Sequence, residues 1–173
     1  LGTACVTCDE LKRKLANKTE SAVLTVDEAV KLVAELREKG MTIGFTNGCF
    51  DILHPGHLSS FDRARALCDV LFVGLNSDES VRRLKGPSRP VNNQQARAAM
   101  LTALKSVNYV VIFEEDSALP LLEKLRPDVI AKEGYPLDKW RGGRFVQSYG
   151  GKAVVLPRVE GFSTTSIVEK INS

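Results

Sequence analysis

A chain of 173 residues with 43% hydrophobic and 26% charged residues, 13 glycines and 7 prolines reads as one ordinary domain, or a domain with a short appendage. It is too apolar and too varied to be disordered, collagen-like or of low complexity. A net charge of +3, from 24 basic and 21 acidic residues with no dense Lys/Arg block, argues against nucleic acid as a partner. No apolar run approaches the ~20 residues of a membrane span, and no basic stretch leads into an apolar core at the start, so a soluble cytoplasmic protein is expected. The chain begins at Leu1 rather than Met, as a trimmed, processed or excised chain does.

In chain order, residues 1–24 show weak periodicity around Leu11 and Leu15 and predict a short helix and a polar link. Here Cys5 and Cys8 form a C-x-x-C. No second pair follows at zinc-site spacing, so they read as ordinary cysteines of an N-terminal helical appendage over residues 1–40. Thr25 and Glu28 have capping-box spacing, Val26, Ala29, Val30, Val33 and Leu36 recur helically, and Gly40 closes the helix. The main domain is expected over 41–173. It opens with a buried strand at 41–46, a loop at 47–56 rich in turn formers and a helix at 57–68, with Cys68 on the inward stripe. A strand at 69–75, a helix at 77–84 and a basic loop at 85–91 follow. The remainder predicts a helix at 93–105, a strand at 107–113, a helix at 117–126 stopped by Pro127, a strand at 128–132, a helix at 138–149, a strand at 152–156 and a last helix at 163–171. Strands alternating with helices predict an α/β fold: a Rossmann-like, doubly wound, mostly parallel five-stranded sheet with helices on both faces.

In such sheets ligands sit beyond the carboxyl ends of the strands, where strand order reverses. The loops expected there are 47–56, 76–77, 132–137 and 157–165. The first reads Thr46-Asn47-Gly48-Cys49-Phe50-Asp51, then His54-Pro55-Gly56-His57. Gly48 and Gly56 let backbone approach a ligand, and the helix that follows offers free N–H groups and a positive dipole end, a natural phosphate seat. Two histidines three residues apart at that junction can reach one phosphate, and a phosphate favours imidazolium. The alternatives are a pair of capping histidines or metal ligation with Asp51 and Cys49, the latter weakened by the incomplete donor set.

The segment from Thr46 to His57 resembles the H-x-G-H nucleotidylyltransferase superfamily, and Arg158 to Ile167, RVEGFSTTSI, is similar to its second signature, R-x-x-G-x-S-T-T-x-I. Asn76 to Gly86 (NSDESVRRLKG), with Arg89-Pro90-Val91 and Arg97, looks specifically like the heptose 1-phosphate adenylyltransferases, which occur alone or as the second half of a bifunctional kinase/adenylyltransferase. The resemblance covers about residues 41–172. It implies that ATP and a sugar 1-phosphate give an ADP-sugar and pyrophosphate by in-line attack on the α-phosphorus, with positioning and charge stabilisation carrying catalysis. A cytidylyltransferase for glycerol 3-phosphate or a related alcohol phosphate, an FAD-forming enzyme and a silent nucleotide-binding domain are the competing readings.

Under this resemblance His54, His57 and Lys85 are catalytic. Thr46, Asn47, Gly48, Cys49, Phe50 and Gly56 flank the nucleotide, as do Lys132, Glu133, Gly134, Arg158, Phe162, Ser163, Thr164 and Thr165. Asp51, Asn76, Asp78, Arg89 and Arg97 face the acceptor. The S-T-T triplet also suits plain helix capping, and Lys85 and Arg89 also suit a solvated surface. Mg²⁺ is expected with the triphosphate rather than in a protein cage. Family analogy adds a homodimer and a kinase partner. One motif departs from the heptose pattern: K-G-G-D-Y becomes Lys132-Glu133-Gly134-Tyr135-Pro136, which loosens the inference about base and sugar more than that about reaction type. Trp140 nearby fits either stacking on a base or packing, the commoner fate of a lone Trp.

Overall fold

The structure, a computed structural model, describes residues 22–159 together with 161, 162, 164 and 167. Six strands form one sheet: β1 (Val23–Leu24), β2 (Ile43–Gly48), β3 (Val70–Asn76), β4 (Tyr109–Phe113), β5 (Val129–Glu133) and β6 (Lys152–Leu156). Their order is β1-β4-β3-β2-β5-β6 and every pairing is parallel. Six α-helices that lie wholly among the described residues accompany them: α1 (Val26–Glu38), α2 (Pro55–Arg65), α3 (Asp78–Lys85), α4 (Gln94–Thr102), α5 (Leu119–Leu125) and α6 (Arg141–Ser148).

Alternation along the strands builds two cores. On β3, Val70 and Phe72 face one layer, where Ala29, Val33 and Leu36 of α1 meet Leu121, Leu122 and Leu125 of α5 and Val146 of α6. Leu71, Val73 and Leu75 face the other, with Phe61 and Ala64 of α2 and Ala98 and Leu101 of α4. Apolar residues on both faces are what a parallel sheet covered by crossover helices requires.

The doubly wound architecture agrees with the sequence, and the strand count is six rather than five. The additional strand, β1, is two residues long and pairs with Val110 and Val111 at the sheet edge, too short to carry any periodicity. It makes residues 23–38 part of the sheet and core rather than of an appendage. The capping box forms as expected, Glu28 N–H donating to Thr25 Oγ1 and Thr25 N–H to Glu28. Strand β2 starts two residues late and runs to Gly48, so the glycine-containing segment begins as strand. Helix α2 starts at Pro55, whose fixed φ and missing N–H suit a first helical position. The helix expected at 138–149 is divided into a 3₁₀ turn (Leu137–Lys139) and α6 around Trp140, which packs in the core with Leu122 and Ile130; stacking on a base is thereby replaced by packing. The expected N-terminal helix, with Cys5 and Cys8, lies outside the described residues, as does most of the last helix, of which Thr164 and Ile167 are described as helical.

Candidate active site

Strands β2 and β3 pair from Ile43/Val70 to Gly48/Leu75, whereas β2 and β5 pair at Gly44/Val129 and Phe45/Ile130 and then separate. Chain order reverses at that seam, because β3 and β4 lie to one side of β2 and β5 and β6 to the other. The splayed carboxyl ends open a cavity of about 480 Å³, at the place an open parallel sheet offers a ligand.

The loop from β2 to α2 forms its floor. Phe50 sits at φ 45°, in the left-handed region, a costly conformation for a bulky residue and one that clusters at functional sites. This turn brings its ring edge-on to His57, 5.3 Å between centroids. His54 is the N-cap of α2 but forms no side-chain cap, and the first turn holds no acidic residue, so the positive helix end is left without a compensating carboxylate. The His54 and His57 rings stack at 3.7 Å. Gly56 permits this fold-over, because a Cβ there would lie 3.0 Å from His54 Nδ1. Both Nδ1 atoms are buried without a partner among the described residues. Burial lowers the His57 pKa to about 4, with the His54 charge adding to the effect; burial also lowers that of His54, against an opposing pull from Glu133. The pair is therefore neutral near pH 7 and poised to gain charge beside an anion.

The end of β5 forms the facing wall. Lys132 lies over the Tyr135 ring at 4.4 Å, and burial lowers its pKa, partly countered by Cys49, with the Lys85 charge adding to the drop. Burial raises the Cys49 thiol above its ordinary value. Glu133 accepts from Val159 N–H at 2.8 Å and from the Ser60 hydroxyl at 3.3 Å, joining β5 to α2 and to the start of the second signature. Gly134 has φ +69°, and a Cβ on it would lie 3.1 Å from Arg158 Nε, so the exposed Arg158 crosses this glycine. Phe162 stands 6.5 Å from the His54 ring, nearly parallel to it. Thr164 lines the cavity; Ser163 and Thr165 lie outside the described residues.

The third wall comes from β3 and the basic loop. Lys85 and Arg89 line the cavity together with Thr46, Asn47 and Asn76. Asp51, expected at the acceptor, lines it too, but its carboxylate is committed to the loop: Oδ2 accepts from Arg89 Nε at 2.6 Å, and both oxygens accept from Val91 N–H. Oδ1 also accepts from Asn92 N–H. Burial pushes this carboxyl up, but the Asn92 and Val91 N–H groups and Arg89 outweigh it and hold the pKa below its ordinary value. Arg97, fully buried, donates to the carbonyls of Asn92, Cys49 and Asn76 and to Asp78 Oδ1. Neither Arg97 nor Asp78 is on the cavity wall. The two work as ties that hold loop, strand end and helix start in register.

The cavity thus gathers His57, Lys85, Lys132, Glu133, Thr164 and the Thr46–Asp51 run from distant parts of the chain, with His54 stacked behind His57. Ser60, Leu84, Asp116, Tyr135 and Leu156 also line it, and none was singled out for the site from sequence. Asp116 was findable: it follows β4, whose carboxyl end faces the same way as the strands used to choose loops. Among the described residues no group of three His, Cys, Asp or Glu is placed to hold a metal.

An open, doubly wound parallel sheet with a cation-lined cavity at its switch point places the chain among the α/β domains that take ligands at that position. More narrowly, the chain belongs to the cytidylyltransferase-like family, whose model matches residues 45–170. It is 47% identical to the bifunctional protein HldE of Nitrobacter hamburgensis and 49% identical to that of Rhodopseudomonas palustris, in each case over 98% of this chain and 36% of the relative. The chain therefore spans about a third of the length of these relatives. Among solved structures it is similar to the lipopolysaccharide core biosynthesis protein from Thermoplasma volcanium, with a TM-score of 0.60 and 26% identity over 70% of this chain and 100% of that one.

Proposed function

We propose that the chain is a sugar-phosphate adenylyltransferase that joins ATP and heptose 1-phosphate to give ADP-heptose and pyrophosphate, in the cytoplasm and in company with a kinase that supplies the phosphorylated sugar. The observation that carries the chemistry is the stacked His54–His57 pair at an uncapped helix start, opposite Lys132 and Thr164 on one cavity. The identity to HldE across nearly the whole chain carries the choice of substrates.

In this reading the triphosphate lies across the seam between β2 and β5. Its phosphoryl oxygens meet the N–H groups at the start of α2, the two imidazoles and the Lys132 ammonium. The acceptor phosphate enters beside Lys85 and Arg89 and attacks the α-phosphorus in line, and pyrophosphate departs toward the helix that contains Thr164. No covalent intermediate is needed, so catalysis rests on orientation and on donors fixed where charge builds. The cavity's carboxylates are Asp116 and the already engaged Asp51 and Glu133. That set fits a magnesium ion held mainly by phosphates and water rather than by a protein cage. Bound there, the ion would supply neutralisation of the triphosphate charge.

The test is a pyrophosphate-release screen crossing ATP and CTP with heptose 1-phosphate, glycerol 3-phosphate and FMN. Turnover with ATP and heptose 1-phosphate is expected. Turnover with CTP alone would move the assignment to the cytidylyltransferase reading, which the matched family's description favours.

A further inference from the structure

The cavity has two sides. The histidines, Lys132 and Thr164 suit polyphosphate, and the opposite side, from α3 to the end of β4, is walled by Leu84, Lys85, Arg89 and Asp116. Two carboxylates line that side: Asp51, which is spent on Arg89 and the loop, and Asp116. Its Oδ1 accepts from Arg83 Nε at 2.7 Å, and Arg83 also donates to the Glu114 carbonyl. The backbone beneath is pinned as well. Ser77 N–H donates to the Phe113 carbonyl at 2.9 Å, and the fully buried Ser80 hydroxyl donates to the Glu115 carbonyl at 3.0 Å. Ser80 Oγ in turn accepts from Asn76 Nδ2 at 2.9 Å, so the segment is tied to the end of β3 in the cavity wall. The second oxygen, Oδ2, has no hydrogen bond among the described residues.

A half-exposed carboxylate, paired through one oxygen with Arg83 and lining the same cavity as an exposed leucine and two cations suited to phosphate, is an arrangement that suits a polyol. Hydroxyl groups donate to the carboxylate, sugar C–H faces lie on Leu84, and the phosphate goes to Lys85 and Arg89. We propose that Asp116 reads hydroxyl groups of the acceptor and is a specificity-determining residue for it. The proposal rests on the sugar-phosphate reading above and adds the residue that selects the sugar.

The experiment measures steady-state pyrophosphate release from ATP and heptose 1-phosphate for wild type, Asp116→Asn, Asp116→Ala and Arg83→Met. Calorimetric binding of heptose 1-phosphate and of an ATP analogue that cannot react accompanies it. Loss of a hydrogen bond to a charged group predicts an acceptor KM raised about tenfold or more in Asp116→Ala, with Asn in between. Arg83→Met is expected to move in the same direction by less. The KM for ATP, analogue binding and melting temperature stay near wild type, which a merely structural surface pair would not separate from the acceptor effect. An unchanged acceptor KM in Asp116→Ala overturns the proposal while leaving the sugar-phosphate reading intact. If wild type fails to turn over, the binding arm still decides: weaker heptose 1-phosphate binding in Asp116→Ala supports the proposal. Equal binding in the two proteins, or none in wild type, overturns it, and the absence of both turnover and binding in wild type overturns the sugar-phosphate reading too.

Discussion

At the residue scale the stacked imidazoles decide what the cavity can do. A histidine held near pKa 4 by burial and by its neighbour is neutral before the ligand arrives, and phosphate oxygens reverse that balance. Triphosphate binding is therefore expected to take up protons between about pH 4 and the raised pKa of the complex. Calorimetry at pH 6 in buffers of different ionisation enthalpy reads this directly, and identical heats in all of them would exclude it. The same shift has a consequence for the empty protein. The unfolded chain gains a proton near its ordinary pKa of 6.5, which the folded chain refuses until about 4. Stability thus falls as pH drops from 6.5 toward 4, and His57→Gln should flatten this part of the melting-temperature profile. Because His57 is expected to touch the reacting phosphates, His57→Ala should lower turnover by ~10² or more with the fold retained. Near-normal rates in a folded variant would remove His57 from the chemistry.

At the scale of elements, the buried Arg97 is a tie that a sequence motif does not disclose as such. The spacing of Asn76 to Gly86 and Arg97 was legible as a site because the resemblance marks these residues. That Arg97 and Asp51 serve the site by holding its loops was not, since a side chain's direction depends on how β2, α3 and α4 converge. Arg97→Met should leave the Cys49 and Asn76 carbonyls and Asp78 without their donor. Breaking a buried pair in this way costs about 3–5 kcal/mol, a fall in melting temperature on the order of 10 °C for a domain this size. A melting temperature within a degree or two of wild type would show that the loops hold themselves. The five longer strands were readable because each is a short apolar run between polar punctuation, and the capping box at Thr25 fixed the start of α1. β1 escaped because two residues show no period. The split of the helix around Trp140 escaped because its cause, burial of the indole beside Leu122 and Ile130, is a tertiary contact. The loop after β4 was missed although the sheet-end rule reaches it as surely as the others.

At the scale of the whole molecule the seam between β2 and β5 is narrow, with two paired positions against six between β2 and β3 and five each between β3 and β4 and between β5 and β6. The two sides are joined at Gly44/Val129 and Phe45/Ile130, reinforced below by Ile43 N–H to Asp128 Oδ2 and by Asp128 N–H to the Ile43 carbonyl. Above that point Thr46–Gly48 and Ala131–Glu133 face each other across the cavity without pairing, although each keeps its outer partner, β3 or β6. A triphosphate that binds the α2 start on one side and Lys132 on the other bridges this gap. Its binding energy thereby resists the separation of the two sides of the sheet. At a ligand concentration a hundred times Kd the gain is about 2.7 kcal/mol, on the order of 5–10 °C in melting temperature. The location of the effect is the sharper expectation. Hydrogen exchange should slow most at the amides of 131–134 and 46–50 with ATP, less with AMP, and much less in Lys132→Ala, while α5, on the far face of the sheet, gains no more than the global increment. Protection at the seam no greater than over the rest of the chain, or protection equal for ATP and AMP, would mean that the nucleotide does not span the seam through its phosphates.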